Sequence, residues 1–256
     1  MPTPQSLEIE SRMLALRDET QVAGLSRFFR TGPGQYGEGD RFLGIKVPRT
    51  RGLVAEVWRG CSLADVEYLL ASPYHEIRLC ALLILVRLFK ACRRDAEGQR
   101  AIVDFYLSHT GNINNWDLVD LSCYEILGAY LLGLGDRSVL YRLASRSATI
   151  WEQRIAIVSC MALVRAGEFS DCLGIADILL LHPHDLINKA VGWLLREVGK
   201  RDGALLREYL TGTEEGTGRA RYLIMPRTAL RYAIEKFPEP ERQRFLRPDS
   251  CTDARA

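Results

Sequence analysis

Three stretches decide how this chain folds: PYHEIRLCALLILVRL (73–88), IWEQRIAIVSCMALVR (150–165) and HDLINKAVGWLLREVG (184–199). In each, apolar residues recur at steps of three and four, the spacing of an α-helix face. Set on one register, the stretches align Arg78, Arg154 and Lys189, and Trp116 and Arg227 fall at the same phase. The steps between these five positions are 38, 38, 35 and 38 residues, the length of a two-helix solenoid repeat. Such units cannot bury their apolar faces alone, so they stack into a curved array with a long concave surface. The expected fold is all-α, an α-solenoid of HEAT-like helix pairs forming one domain over 1–247. A polar tail follows at 248–256.

The same periodicity runs through 7–29, 49–58, 63–71, 99–108, 115–133, 137–145, 169–181, 203–210, 222–236 and 239–246. Convincing strand alternation is missing. Connections are short and carry stop signals such as Gly60, Ser72-Pro73, Gly135-Asp136 and Phe237-Pro238. The exception is the glycine-rich TGPGQYGEGDRFLG (31–44), which lacks the G-K-[ST] ending of a phosphate-cradling loop. It reads as a surface loop between helices.

Hydrophobic residues make up 47% of the chain and charged ones 26%, which excludes a disordered protein. The apolar run LCALLILVRLF (79–89) is too short to span a bilayer and is broken by Arg87. The opening MPTPQSLEIESRML has no basic region followed by an apolar run, so it does not read as a signal peptide. Seven scattered cysteines without C-x-x-C spacing point to a reduced compartment. A soluble, cytoplasmic protein is expected. His75 and His109 read as isolated, and His182 and His184 have no third ligand in reach, so no metal site is expected.

Net charge is only +2, so the whole molecule carries no field that announces a polyanion. The 34 basic residues, however, are 29 Arg and 5 Lys. Arg presents a planar fork of donors suited to phosphate, although a GC-rich genome also favours Arg codons. Residues four apart share a helix face. Trp116 is therefore joined by Asp120, Lys189 by Trp193, and Arg227 by Arg231. The register predicts one seam of Arg78, Trp116, Asp120, Arg154, Lys189, Trp193, Arg227 and Arg231. Cations, two indoles and one carboxylate are odd chemistry for packing and sensible chemistry for gripping a polyanion. The stretch 219–247 adds eight basic residues against three acidic ones, which suits either solvated helix surface or a phosphate clamp.

The segments NNWDLVD (114–120), IWEQRIAI (150–157) and KAVGWLLRE (189–197) resemble, in order and spacing, the three core motifs of the AlkD-like DNA alkylation repair enzymes. FFRTGPGQYGEGDRFLGIKVPRTR (28–51) is similar to a form common in the wider family. The likeness spans roughly residues 27 to 235. It implies a HEAT-like repeat glycosylase with a concave DNA-binding face. Such an enzyme excises cationic alkylpurines from duplex DNA by hydrolysis and leaves the damaged base in the stack. By motif position it implies that Asp120 is the catalytic carboxylate, that Trp116 and Trp193 flank it, and that Arg154 holds the DNA backbone. Lys189, Arg78, Arg227, Arg231, Arg30 and Lys46 are the other expected DNA contacts. The expected partner is double-stranded DNA containing alkylated bases, bound by a monomer, with no metal or organic cofactor. One departure is Phe28, where the best-known members carry Tyr; another is the loop 31–44, an insertion relative to them.

Other readings stand beside these. Asp120 can be a paired surface carboxylate, Trp116 a residue packing the helix start, Trp193 a core residue, and Arg154 a brace for a neighbouring helix. Trp58 and Trp151 read as packing residues. For the whole protein, the alternatives are a non-catalytic module for damaged or branched DNA and a protein-binding scaffold. A scaffold predicts an apolar or acidic face rather than a basic, aromatic one.

Overall fold

The structure, a computed structural model, describes residues 2–145 and 148–247. The described residues are helical, with no strand beyond two isolated bridges, Arg41 with Tyr74 and Thr213 with Ala220. No described helix is long and apolar enough to cross a membrane. The tail read for residues 248–256 lies outside the described residues. The chain divides into two compact units, Met1–Tyr130 and Leu131–Ala256.

The first unit holds α1 (Pro4–Ala15), α2 (Glu19–Phe28), α3 (Val47–Val57), α4 (Leu63–Leu70), α5 (His75–Ala91), α6 (Ala96–Ser108) and α7 (Trp116–Asp120). Its centre is α5, packed by α1, α3, α4, α6 and α7. Every residue of α5 from His75 to Val86 is buried, the mark of a helix surrounded by others. The run 7–29 is two helices rather than one. Asp18 interrupts it because its carboxylate accepts the Thr20 amide and caps α2, an alternative to continuing the helix.

The run 115–133 is also broken. α7 is only five residues long and gives way to a π-helical turn, Tyr124–Gly128, before α8 (Ala129–Leu131). Ser122 supplies the cause. Its hydroxyl donates to the Leu118 carbonyl at 2.6 Å while its own amide turns to Val119. Such back-bonding bends helices.

The second unit holds α9 (Ser138–Leu143), α10 (Ile150–Arg165), α11 (Ser170–Ile178), α12 (Asp185–Arg201), α13 (Gly203–Thr211), α14 (Arg221–Ile224), α15 (Arg227–Ala233) and α16 (Glu239–Leu246). A capping box between Thr149 and Glu152 starts α10, which is buried from Gln153 to Val164. α12 packs on α10, α11, α13 and α15. Gly192 permits the close approach of α12 to α15, since a Cβ there would lie 2.4 Å from the Ala229 carbonyl oxygen and 2.6 Å from Tyr232 Cβ. Gly192→Ala is expected to push α12 off α15 and cost about 1–3 kcal/mol. A lowered thermal midpoint checks this; an unchanged midpoint contradicts it.

Candidate functional site

The motif 114–120 begins with a cap. Asn115 Oδ1 accepts the Trp116 amide at 2.9 Å, which starts α7. Trp116 and Asp120 then stand one turn apart, both half-buried, and both line one pocket of about 420 Å³ in the first unit. The pocket walls are aromatic. Phe29 stacks between Phe42 (5.1 Å, 16°) and Trp116 (5.3 Å, 23°). Phe28 meets Trp116 edge-on at 5.8 Å and is 62% exposed. Lys46 stands exposed at the same pocket. Arg30 is exposed too, with an uncommon φ of 52°.

A buried polar network lies against the aromatic stack. His75 is not isolated: its ring packs on Phe29 and Phe42, Nδ1 meets Asp40 Oδ2 at 3.2 Å and Nε2 meets Asp117 Oδ2 at 2.9 Å. Burial alone would push its pKa down, but the hydrogen bonds to Asp117 and Asp40, together with their charges, outweigh that and hold it up at about 9. Asp40 shows the mirror case. Burial would raise its pKa, yet His75, Arg78 and Asn115 together hold it below the ordinary carboxylate value.

Arg78, expected on the DNA-facing seam, belongs to this network instead. It is 5% exposed and donates to Asp40, the Ser72 carbonyl and Asn114 Oδ1. Its guanidinium is spent inside the protein because a carboxylate sits opposite it.

The glycine-rich loop also departs from the surface reading. Its last turn, 42–45, is buried, since the Glu76 carboxylate accepts the amides of Leu43, Gly44 and Ile45 at 2.9, 2.9 and 3.1 Å. Glu76→Ala would orphan three buried donors at about 1–3 kcal/mol each. It is expected to lower the thermal midpoint by about ten degrees or more and to open 42–45 to proteases. A variant as stable as wild type would show that this anchor is dispensable.

The second unit carries the other expected site residues. Lys189 and Trp193 lie one turn apart on α12, both half-buried, with Lys189 bonded to Asp185 at 2.7 Å. Arg227 and Arg231 are exposed one turn apart on α15; Arg227 donates to the Leu246 carbonyl at 2.6 Å. Arg154 is only 5% exposed, and its guanidinium donates to the Leu186 carbonyl at the start of α12. Those contacts fit the brace reading rather than an open phosphate ligand.

The family model for DNA alkylation repair enzymes matches residues 9–237. The chain belongs to the DNA alkylation repair enzyme family. Among solved structures, one described as a predicted DNA alkylation repair enzyme from Enterococcus faecalis is similar in fold. It shares 15% identity at a TM-score of 0.64, over 87% of this chain and 97% of that one. No curated protein sequence matches.

The family match spans the pocket residues, the half-buried pair on α12 and the exposed pair on α15. Sequence reasoning placed Trp116 and Asp120 on one face of this repair-family chain but missed Asp40, His75, Glu76 and Asp117. A signal for part of that set was present. His75, Glu76 and Arg78 open a helix that has no polar face, so their charges need partners from elsewhere in the chain. Among the described residues no cluster of three or more His, Cys, Asp or Glu is arranged to hold a metal ion.

Proposed function

We propose that this member of the family is a DNA N-glycosylase that hydrolyses the bond holding cationic alkylpurines, of the 3-methyladenine and 7-methylguanine type, in duplex DNA. Alkylation at N3 or N7 leaves the base cationic and already a good leaving group. The enzyme is then left to stabilise positive charge developing on the deoxyribose, as in other glycosyl hydrolysis. A carboxylate beside the sugar does this electrostatically and orients the attacking water. The observation that carries this reading is the pairing of Asp120 with Trp116 on one helix turn at an aromatic-walled pocket. Indole faces attract cations and electron-poor edges, which suits a lesion that stays in the stack.

In this scheme Asp120 acts on the sugar and Trp116 contacts the lesion-bearing nucleotide, while Trp193 of the second unit offers DNA a further aromatic contact. Lys46, Arg30, Lys189, Arg227 and Arg231 hold phosphates of the duplex. The protein works as a monofunctional enzyme, without metal or organic cofactor, in the cytoplasm and as a monomer. A lyase needs an amine at the sugar carbon; in this scheme the amines of Lys46 and Lys189 hold phosphate instead. Incubation with methylated duplex DNA is expected to release 3-methyladenine or 7-methylguanine, resolved by chromatography, and to leave abasic sites uncut. Absence of both free bases would overturn the glycosylase reading; strand cleavage at the abasic site would overturn the monofunctional one.

A further inference from the structure

α7 cannot aim its own side chains. With five residues it has few internal hydrogen bonds, and helix formation repays its nucleation only over longer runs. The chain leaves helical geometry directly afterwards, at Ser122. Its orientation must therefore come from outside, and the polar contacts around it converge on one place. Arg78 Nη2 donates to Asn114 Oδ1 at 3.1 Å, Asn115 Nδ2 donates to Asp40 Oδ2 at 3.1 Å, and His75 Nε2 meets Asp117 Oδ2 at 2.9 Å. Three of the four residues 114–117 are thus tied to one cluster, and the fourth is Trp116.

The cluster is itself cross-linked. Asp40 is held by both Arg78 and His75, and Arg78 also grips the Ser72 carbonyl. Both ring nitrogens of His75 face carboxylate oxygens, an arrangement that uses two N–H donors and so the imidazolium form. Two carboxylates and two cations then balance in a nearly water-free site. Low local dielectric strengthens each of these bonds when all are made. Glu76, the remaining charge near His75 on α5, is occupied with the amides of 43–45.

We propose that Asp40, His75 and Arg78 are positioning residues: through Asn114, Asn115 and Asp117 they lock α7 so that Trp116 and Asp120 present one fixed geometry to the substrate. The polar contacts of all three side chains lie within the cluster, and the ring of His75 reaches the pocket only as part of its wall. The consequence for reaction rests on the glycosylase reading above; the consequence for α7 does not.

The test therefore has two arms on the full-length protein, comparing wild type with His75→Gln. In the first, backbone hydrogen exchange followed by mass spectrometry is read over 116–121 in the absence of DNA. Protection there is expected to fall about tenfold or more, the equivalent of one lost charge-assisted hydrogen bond, while α3 and α4 keep theirs. In the second, single-turnover release of 7-methylguanine is compared with affinity for the same duplex. The rate is expected to fall about 100-fold, as small misplacements of catalytic groups do, with affinity little changed. Should His75→Gln not fold, Asn115→Ser carries both arms, because it keeps a capping oxygen and deletes the donor to Asp40.

Wild-type protection over 116–121 in the folded variant overturns the proposal whatever the rates. Loss of affinity in step with rate overturns the positioning role. If wild type releases no base, the glycosylase reading fails and the exchange arm still decides whether the cluster locks α7.

Discussion

Asp120→Asn is expected to lower the single-turnover release of alkylated purines by about 10²–10³-fold while leaving the protein folded and its grip on DNA undiminished. The two side chains have nearly the same shape, so the change removes charge and little else. Asp120 is half-buried at the pocket shared with Trp116, where a carboxylate near the sugar has less water to screen it than on an open surface. Its neighbour Asp117 offers no substitute. That carboxylate is buried and committed to His75 and to the Leu118 amide. A carboxylate that merely decorated the helix would show no rate effect on neutralisation. It would, however, strengthen DNA binding slightly by removing a charge that repels phosphate. The discriminating result is thus a rate that collapses at unchanged or improved affinity. An Asn variant as fast as wild type would remove Asp120 from the chemistry.

The all-helical class was legible because it rests on spacing alone. Stretches 73–88 and 150–165 carry apolar residues so densely that they had to be central helices, and α5 and α10 are the buried hearts of their units. The pairing of Trp116 with Asp120 was legible for the same reason, since a step of four on a helix needs no tertiary knowledge. Depth was not legible. The register gave Arg78 and Arg154 the same phase as Lys189, yet both are buried while Lys189 keeps substantial exposure. Phase fixes where a side chain leaves the helix, not what waits opposite it; Asp40 faces Arg78 and the Leu186 carbonyl faces Arg154. Asp40 lies 35 residues before His75 in a loop read as surface, and no periodicity connects them. Breaks at Asp18 and Ser122 escaped notice because each depends on one side chain competing for a backbone partner, which hydrophobic spacing does not register.

His75→Leu is expected to lower folding stability by about 3–5 kcal/mol at neutral pH, because it leaves two buried carboxylates without the cation between them. The loss should depend on pH in a defined direction. The imidazole pKa stands near 9 in the folded protein against 6.5 for an unperturbed histidine, a difference worth about 3 kcal/mol. A raised folded-state pKa means that this contribution is complete below about pH 6.5 and fades as pH climbs through 9. Thermal midpoints should therefore separate most at pH 6 and draw together by pH 9.5, where wild-type His75 is neutral as well. Acid behaves oppositely through Asp40, whose lowered pKa gives stability that disappears as pH falls through it. Without His75 one support of that lowering is gone, so the variant should begin its acid unfolding at a higher pH than wild type. A stability gap equal at pH 6 and pH 9.5 would mean that His75 is uncharged in the fold. In that case its two carboxylate contacts could not both be hydrogen bonds to ionised acids, and the lock on α7 would need a different origin.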